Sequence, residues 1–303
     1  MSKETVKAGA RRIPISKADK VLFPEDSITK ADLVGYYRDI ASTFLRHARG
    51  RPVAAERYPD GIDQPRIFQK NVPEHYPEWV PRVEVGKKEG GVTVHAVCDD
   101  TQTLVYLADQ ACVTPHLWLS RTDELDRPDR LIFDLDPPGT DLPMLRSAAR
   151  SVRTILDEIG LPAFLMATGS RGFHVLTPLR RTQTFDQARE FARRLATLLA
   201  ERHPDMLTVQ QRKQDRGDRI LVDYLRNSYA QTAVAPYAVR ARPNAPVATP
   251  LDWNEFDTTT PWQYTIHTLP DRLKDRGDPW SSLRNRARTL TEPRRELEQL
   301  IGQ

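Results

Sequence analysis

Asp134 and Asp136 lie at the end of an apolar run, Leu131-Ile132-Phe133-Asp134-Leu135-Asp136, which Pro137-Pro138-Gly139 terminates. On a strand, residues i and i+2 share a face. Leu131, Phe133 and Leu135 then turn toward a core, and both carboxylates turn the other way. Two adjacent carboxylates stay ionised together only with a cation between them. Two divalent ions about 4 Å apart, bridged by such a pair, are an apparatus for phosphoryl transfer. A lone Asp-x-Asp is common, and a solvated strand end before a proline turn is its bland alternative. Asp223 adds weight to the metal, because it too follows an apolar stretch, Ile220-Leu221-Val222, on a second expected strand. A hydrogen-bonding strand Asp is the alternative there.

Gly169-Ser170-Arg171-Gly172-Phe173-His174 is the second constellation. Small residues let successive backbone N–H groups point at an anion, and Arg171 adds a forked cation suited to phosphate. His174 leaves the turn on a strand, where it can donate to a triphosphate oxygen. A hairpin turn with a half-buried histidine is the plain reading. A two-metal nuclease shares the carboxylates but has no use for a triphosphate cradle, so this turn favours a polymerase. One further pattern has zinc-like ligand spacing: His95-x-x-Cys98 with Cys112-x-x-x-His116. The strand-like alternation from Val92 to Val97, and the packed helix end expected over 108–113, weigh against a zinc site.

The elements that must position these residues follow from caps and periodicity. Thr29-x-x-Asp32 is a capping-box variant, opening a helix over 29–47 with Leu33, Tyr36, Tyr37, Ile40, Phe44 and Leu45 on its apolar face. Gly50 closes it. Turns are expected at Tyr58-Pro59-Asp60-Gly61, between two strands, and at 87–91, before the strand through His95. A charged, proline-containing loop over 121–130 separates the two parts of the chain. A helix over 142–159 has a clean apolar face and stops at Gly160. Strands at 164–167 and 173–176 flank the Gly169–Gly172 turn, Thr184-x-x-Gln187 opens a helix to 203, and 220–224 is a strand. The order strand, helix, hairpin, helix, strand is an α+β arrangement of the split βαβ kind. Trp253, Trp262 and Trp280 mark the tail as a packed cover.

The 303 residues are 39% hydrophobic and 28% charged, with a net charge of +4. That composition builds a core, and the mild basic excess favours polyanionic partners without proving one. Arg146, Arg150, Arg153, Arg189, Arg193 and Arg194 are expected on solvated helix faces. Two cysteines suggest a reducing compartment. No apolar run reaches eighteen residues, so no membrane span is expected. Residues 1–12 are basic without an apolar core and are expected to be a flexible lead-in.

Together these segments resemble the polymerase domain of bacterial ligase D, in the archaeo-eukaryotic primase superfamily. The resemblance runs over 15–283. It is carried by Asp19-Lys20-Val21-Leu22-Phe23-Pro24, Arg57-Tyr58-Pro59-Asp60-Gly61, Phe68-Gln69-Lys70, Phe133-Asp134-Leu135-Asp136-Pro137, Gly169 to His174, Val222-Asp223-Tyr224 and Thr232-Ala233-Val234-Ala235-Pro236-Tyr237. It implies an α+β fold, with a catalytic sheet like an RNA-recognition module and a packed N-terminal α/β module. A single catalytic domain over 13–303 is expected, divided into 13–125 and 126–303.

The resemblance also implies roles. Asp134, Asp136 and Asp223 match carboxylates that hold two Mn2+ or Mg2+ ions. Ser170, Arg171 and His174 match the phosphate-binding turn, and Thr168, His116 and Arg240 match nucleotide contacts. Lys20 and Lys30 match residues that hold a 5′-phosphate across a gap, with Lys17, Phe68 and Lys70 on the DNA path. The implied activity is template-directed addition of NTP or dNTP, with ribonucleotides preferred, at gaps or 3′ overhangs in DNA end joining. Ku and a ligase acting in trans are the implied partners, for a monomer in the bacterial cytoplasm at the nucleoid. Arg171 stands where the family usually has Lys, Glu56 where it usually has Lys, Ile67-Phe68 where it has Phe-Phe, and Arg226 where Gln is usual. De novo priming and non-catalytic binding of DNA ends are the alternatives.

Overall fold

Two six-stranded sheets carry the fold, one in each of two compact units. The computed structural model describes residues 4–87 and 90–302. The first unit holds the chain up to Trp118 together with Thr232–Ala248 and Tyr264–Asp278; the second holds Leu119–Gln231, Thr249–Gln263 and Pro279 onward. The sequence places a single junction at 125/126. The chain instead enters the second unit directly after Trp118, and its C-terminal portion contributes to both units.

In the first unit, β1 (Thr5–Ala8) and β2 (Arg11–Pro14) form a hairpin. The expected flexible lead-in is therefore ordered from β1 onward, and residues 1–3 lie outside the described residues. Val6 pairs with Ile13, whose side chain is buried, which gives the hairpin an apolar anchor. A short pair follows, β3 (Val21–Phe23) and β4 (Ile28–Thr29). Thr29 then caps α1 (Lys30–Asp39) through the reciprocal capping box with Asp32. The expected single helix breaks at Ile40, whose ψ of 3° is off the helical value, and α2 (Ala41–Ala48) follows. All six expected apolar residues are buried nonetheless. A single stripe does not reveal that its two halves lie on two helices.

The sheet of this unit runs in the order β17 (Thr232–Val234), β9 (Cys112–Trp118), β5 (Pro52–Arg57), β8 (Val92–Val97), β7 (Arg82–Gly86), with β6 (Ile67–Gln69) also paired to β5. Its third helix, α3 (Thr101–Asp109), is capped by Asp100 and packs on α1 and α2. Cys112 lies on β9 rather than at a helix end, because Ala111, in the left-handed region at φ 56°, turns the chain out of α3. Cys98 and Cys112 are both buried, and the His95 ring is bonded to the Val53 carbonyl. The short helix α6 (Leu269–Arg276) completes the unit.

The second unit opens with β10 (Ser120–Arg121) and β11 (Glu124–Pro128), an antiparallel pair where a loop was expected. Its sheet has the order β15 (Leu207–Thr208), β16 (Ile220–Asp223), β12 (Arg130–Asp136), β14 (Phe173–Pro178), β13 (Phe164–Ala167), β18 (Thr249–Leu251). Two capped helices pack on it: α4 (Leu142–Glu158), capped by Asp141, and α5 (Phe185–Arg202), opened by the Thr184–Gln187 box. Leu131, Phe133 and Leu135 are fully buried, as their alternation requires. Trp280 and Trp253 donate their indole N–H groups to the carbonyls of Leu165 and Ala163, so the tail covers this sheet. Trp262 departs from the expected cover and is exposed. The helix α7 (Thr291–Ile301) packs on α5.

One side chain completes the ladder beyond the end of β16. After Asp223 the backbone turns away, leaving Ile132 on β12 without a strand partner on that edge. Asn227 fills the place: its Oδ1 accepts from the Ile132 N–H at 2.8 Å, and its Nδ2 donates to the Ile132 carbonyl at 2.7 Å. Asn227 is 1% exposed. Asn227→Ala should therefore strand both backbone groups and lower stability by about 2–4 kcal/mol, measured by urea unfolding. A loss under about 0.5 kcal/mol would show that the ladder closes without it.

Candidate active site

The register of three strands assembles the acidic centre. Asp134 on β12 lies directly opposite His174 on β14 and opposite Asp223 on β16. Asp136 is two residues further along β12 and on the same face. The three carboxylates expected from the sequence therefore share one face of the second unit's sheet. His174 Nε2 stands 3.4 Å from Asp134 Oδ1, while its Nδ1 is buried without a hydrogen-bond partner among the described residues. Asp223 Oδ1 accepts from the Leu225 N–H at 2.8 Å, which fixes its rotamer.

Arginines face each of these acids. Arg226 Nε lies 3.4 Å from Asp134 Oδ2 and 3.9 Å from Asp223 Oδ2. Arg216 Nη1 lies 3.0 Å from Asp136 Oδ2, and Arg171 Nη2 lies 3.5 Å from Asp136 Oδ1. Arg216 is itself anchored, donating to the carbonyls of Gln210 and Gln211. Nothing in the charged segment from Arg212 to Arg219 distinguishes Arg216 by sequence; only the fold of the loop brings it to Asp136. The two facing acids shift in opposite directions. Burial works against the charge of Asp134, but His174 and Arg226 outweigh it and hold its carboxyl down at about 2. Burial raises Asp223, and the charge of Asp134 adds to the rise. This is the behaviour of neighbouring carboxylates that share limited positive charge.

The Gly169–Gly172 turn is built tightly. Gly169 has φ +64°, and its N–H donates to the Pro261 carbonyl. Thr168 Oγ1 donates to the Gly172 carbonyl and lies 3.3 Å from the Ser170 nitrogen. The expected row of N–H groups open to an anion is thus not present at Gly169 and Ser170, which already have partners. Thr168 is buried as a brace of the turn. What the turn presents outward is the half-exposed Arg171 and the Ser170 side chain. Gly172 passes so close to β12 that a Cβ there would lie 2.0 Å from the Leu135 carbonyl oxygen.

The other expected residues belong to the first unit. Lys17, Lys20 and Lys30 are drawn together, since the Lys30 N–H donates to the Lys20 carbonyl and the Lys20 N–H to that of Lys17. The first turn of a helix can offer free N–H groups to an anion. Instead Lys30, Ala31 and Asp32 donate to Lys20, Ala18 and the Thr29 hydroxyl. Lys30 is buried, with its Nζ 2.8 Å from Ser16 Oγ and 3.5 Å from Asp109. Burial lowers its pKa and Asp109 opposes that. Lys20 Nζ lies 2.6 Å from the exposed Asp60. Phe68 and Lys70 are both exposed, and the Phe68 ring meets the His116 ring edge-on.

Glu56 is the centre of a second charged cluster. It pairs across the sheet with Phe68, and Ala54 pairs with His116. Its Oε2 lies 3.0 Å from His116 Nε2; its Oε1 accepts from the Tyr58 hydroxyl at 2.8 Å and from Arg66 at 3.2 Å. Arg240 is near enough to act on Tyr58, opposing the rise to about 12 that burial and Glu56 produce there. Glu56 is buried, which alone would raise its pKa, yet His116, Tyr58 and Arg66 bring it down to about 2.

Three acids gathered at register positions on one face of this sheet are the geometry to be explained, and comparison with known proteins gives the family. A model of the "LigD, primase-polymerase domain" family matches residues 29–280, and the chain belongs to that family. The chain is 34% identical over 280 residues to the multifunctional non-homologous end joining DNA repair protein LigD of Mycobacterium tuberculosis, covering 89% of this chain and 37% of that protein. Against the multifunctional non-homologous end joining protein LigD of Pseudomonas aeruginosa it is 32% identical over 300 residues, covering 96% and 36%. The chain therefore spans a little over a third of the length of these relatives. The polymerase domain from Mycobacterium tuberculosis ligase D, solved in complex with DNA, superposes with a TM-score of 0.85 at 33% identity, covering 91% of this chain and 99% of that one. No helix among the described residues is long and apolar enough to cross a membrane.

The depressed pKa of Glu56 makes a testable contribution to stability. Its charge stabilises the fold above the ordinary glutamate range, near 4.5, and that stabilisation is lost as pH falls toward about 2. Wild type should lose about 1–2 kcal/mol across this window through Glu56, the exposed Arg66 contact being screened by solvent. In Glu56→Gln that component should be absent, so the two proteins' denaturation midpoints should differ most near pH 5 and converge near pH 2. Parallel pH profiles would place Glu56 outside the linkage.

Proposed function

We propose that this chain is a template-directed polymerase that extends primer ends at short gaps and double-strand breaks in DNA, using two divalent ions held by Asp134, Asp136 and Asp223. The observation that carries the reading is the register that sets Asp134 opposite Asp223, with Asp136 on the same face. The donor chemistry fits the ions, because carboxylate oxygens suit Mg2+ and Mn2+ and each acid already faces positive charge. As the side chains stand, no group of three or more His, Cys, Asp or Glu among the described residues could hold a metal ion; the acids face arginines instead. When bound, the ions supply acidification of the primer 3′-OH and neutralisation of the triphosphate.

The chain's own residues do the rest. Arg171 and Ser170 bind phosphate oxygens from the turn, and His174, braced beside Asp134, donates to the triphosphate from the neighbouring strand. Thr168 keeps the turn in shape. His116 and Arg240 are further nucleotide contacts in this reading, Phe68 stacks on template bases, and Lys70 follows the backbone. A downstream 5′-phosphate exchanges with Asp60 for the ammonium of Lys20, with Lys17 beside it. The buried Lys30 contributes field more than contact. Ribonucleotides are the preferred substrates, and Ku-bound ends with a ligase in trans are the setting.

A primer-extension assay on gapped DNA tests this, with and without a 5′-phosphate, with both sugar types, and with Mn2+ against Mg2+. Wild type should extend the primer, favour ribonucleotides and favour the phosphorylated gap. Asp134→Ala or Asp136→Ala should cut extension by roughly a hundredfold or more, as losing several kcal/mol of charge stabilisation requires, with DNA binding retained. Extension by either variant at near wild-type rate would overturn the reading. Synthesis on unprimed single strands, without gap extension, would make the chain a primase instead.

Lys20→Ala should erase most of the preference for a 5′-phosphate while changing affinity for plain single strands less, since a charge-assisted phosphate contact contributes about 1.5–3 kcal/mol. Binding titrations at two salt concentrations check this. Undiminished discrimination would put the phosphate pocket elsewhere.

A further inference from the structure

Arg226 has no part in the chemistry described so far, yet it lies against two of the three acids. Its Nε is 3.4 Å from Asp134 Oδ2 and 3.9 Å from Asp223 Oδ2. Those acids face each other across β12 and β16, so one guanidinium serves the pair of carboxylates whose mutual repulsion most needs a cation. Its backbone is held in place, because the next residue is the buried Asn227, bonded to both polar groups of Ile132. Its side chain is less confined. Arg226 is 43% exposed, whereas Arg216 is 13% exposed and tied to two carbonyls as well as to Asp136. A half-exposed ion pair is weak and exchanges readily. The guanidinium can therefore leave Asp134 and Asp223 for solvent, or for a phosphate oxygen, without disturbing the sheet.

We propose that Arg226 is an internal competitor for the divalent cation: its guanidinium occupies the Asp134–Asp223 pair in the metal-free protein and withdraws when the ion binds, so this residue sets the metal concentration that the site requires. The proposal rests on the reading that these carboxylates hold the ions. A guanidinium and a divalent ion cannot use the same carboxylate oxygens at once, and the monovalent partner is bonded more weakly. Its presence subtracts from the affinity of any incoming ion. The same factor is subtracted from Mg2+ and from Mn2+, so the competition raises the concentration of either ion that the site needs.

Mn2+ titration followed by the electron paramagnetic resonance of the free ion tests this without any turnover, at neutral pH and low ionic strength. The proteins are wild type, Arg226→Gln, Arg226→Lys and Asp223→Ala, with circular dichroism as the check on folding. Arg226→Gln keeps a hydrogen-bonding side chain without the charge and should bind Mn2+ roughly three- to tenfold more tightly, the effect of removing one or two exposed ion pairs. Arg226→Lys keeps the charge and should stay within roughly twofold of wild type. Unchanged or weaker binding by Arg226→Gln, in a protein whose Mn2+ affinity falls in Asp223→Ala, would overturn the role of Arg226 and leave the metal site standing. Equal binding by wild type and Asp223→Ala would remove the metal site, and this inference with it.

Discussion

The antiparallel register of β12 is the constraint on which the site depends. It sets Asp134 between His174 on one neighbour and Asp223 on the other. A slip of one residue would send the acids into the core and bring Leu135 out to the solvent side. Leu131, Phe133 and Leu135 oppose that slip, each being fully buried, and each such burial contributes about 1.5–3 kcal/mol. Gly172 reinforces them from the other side, since the turn meets the Leu135 carbonyl where no side chain has room. The same alternation that builds the core therefore aims the carboxylates.

Charge is balanced locally in each unit. In the second, three acids face Arg171, Arg216, Arg226 and His174. In the first, Glu56 brings a buried negative charge, and the structure answers with His116, Arg66 and the Tyr58 hydroxyl. A buried carboxylate without such partners would cost several kcal/mol. The charge of Glu56 is thus absorbed by its neighbours and leaves β5 paired on both sides.

What was legible in the sequence is what local pattern controls. The strand carrying Asp134 and Asp136, the capping boxes at Thr29 and Thr184, and the stop at Gly160 all stand where alternation and capping chemistry put them. The misses have a common cause. The break at Ile40, the pairing of β1 with β2, and the ordered segment from β10 to β11 depend on partners distant in sequence or on backbone angles that residue type does not dictate. Arg216 and Asn227 were invisible for the same reason: each is an ordinary polar residue until the loop around it folds. The turn at Gly169 shows the reverse, where composition promised open N–H groups and the fold used them internally.

Asn227 stands in for a missing strand, and that substitution has a consequence for how this sheet can change over time. Because a side chain, not a continued backbone ladder, finishes the edge of β12, residues 224–226 are released from strand geometry while remaining beside the acids. Position 226 can then exchange one polar side chain for another, charged or neutral, without any hydrogen bond of the sheet being lost. The molecule has in effect a socket next to its acidic centre: the frame is conserved by one amide, and the occupant of the socket is open to selection.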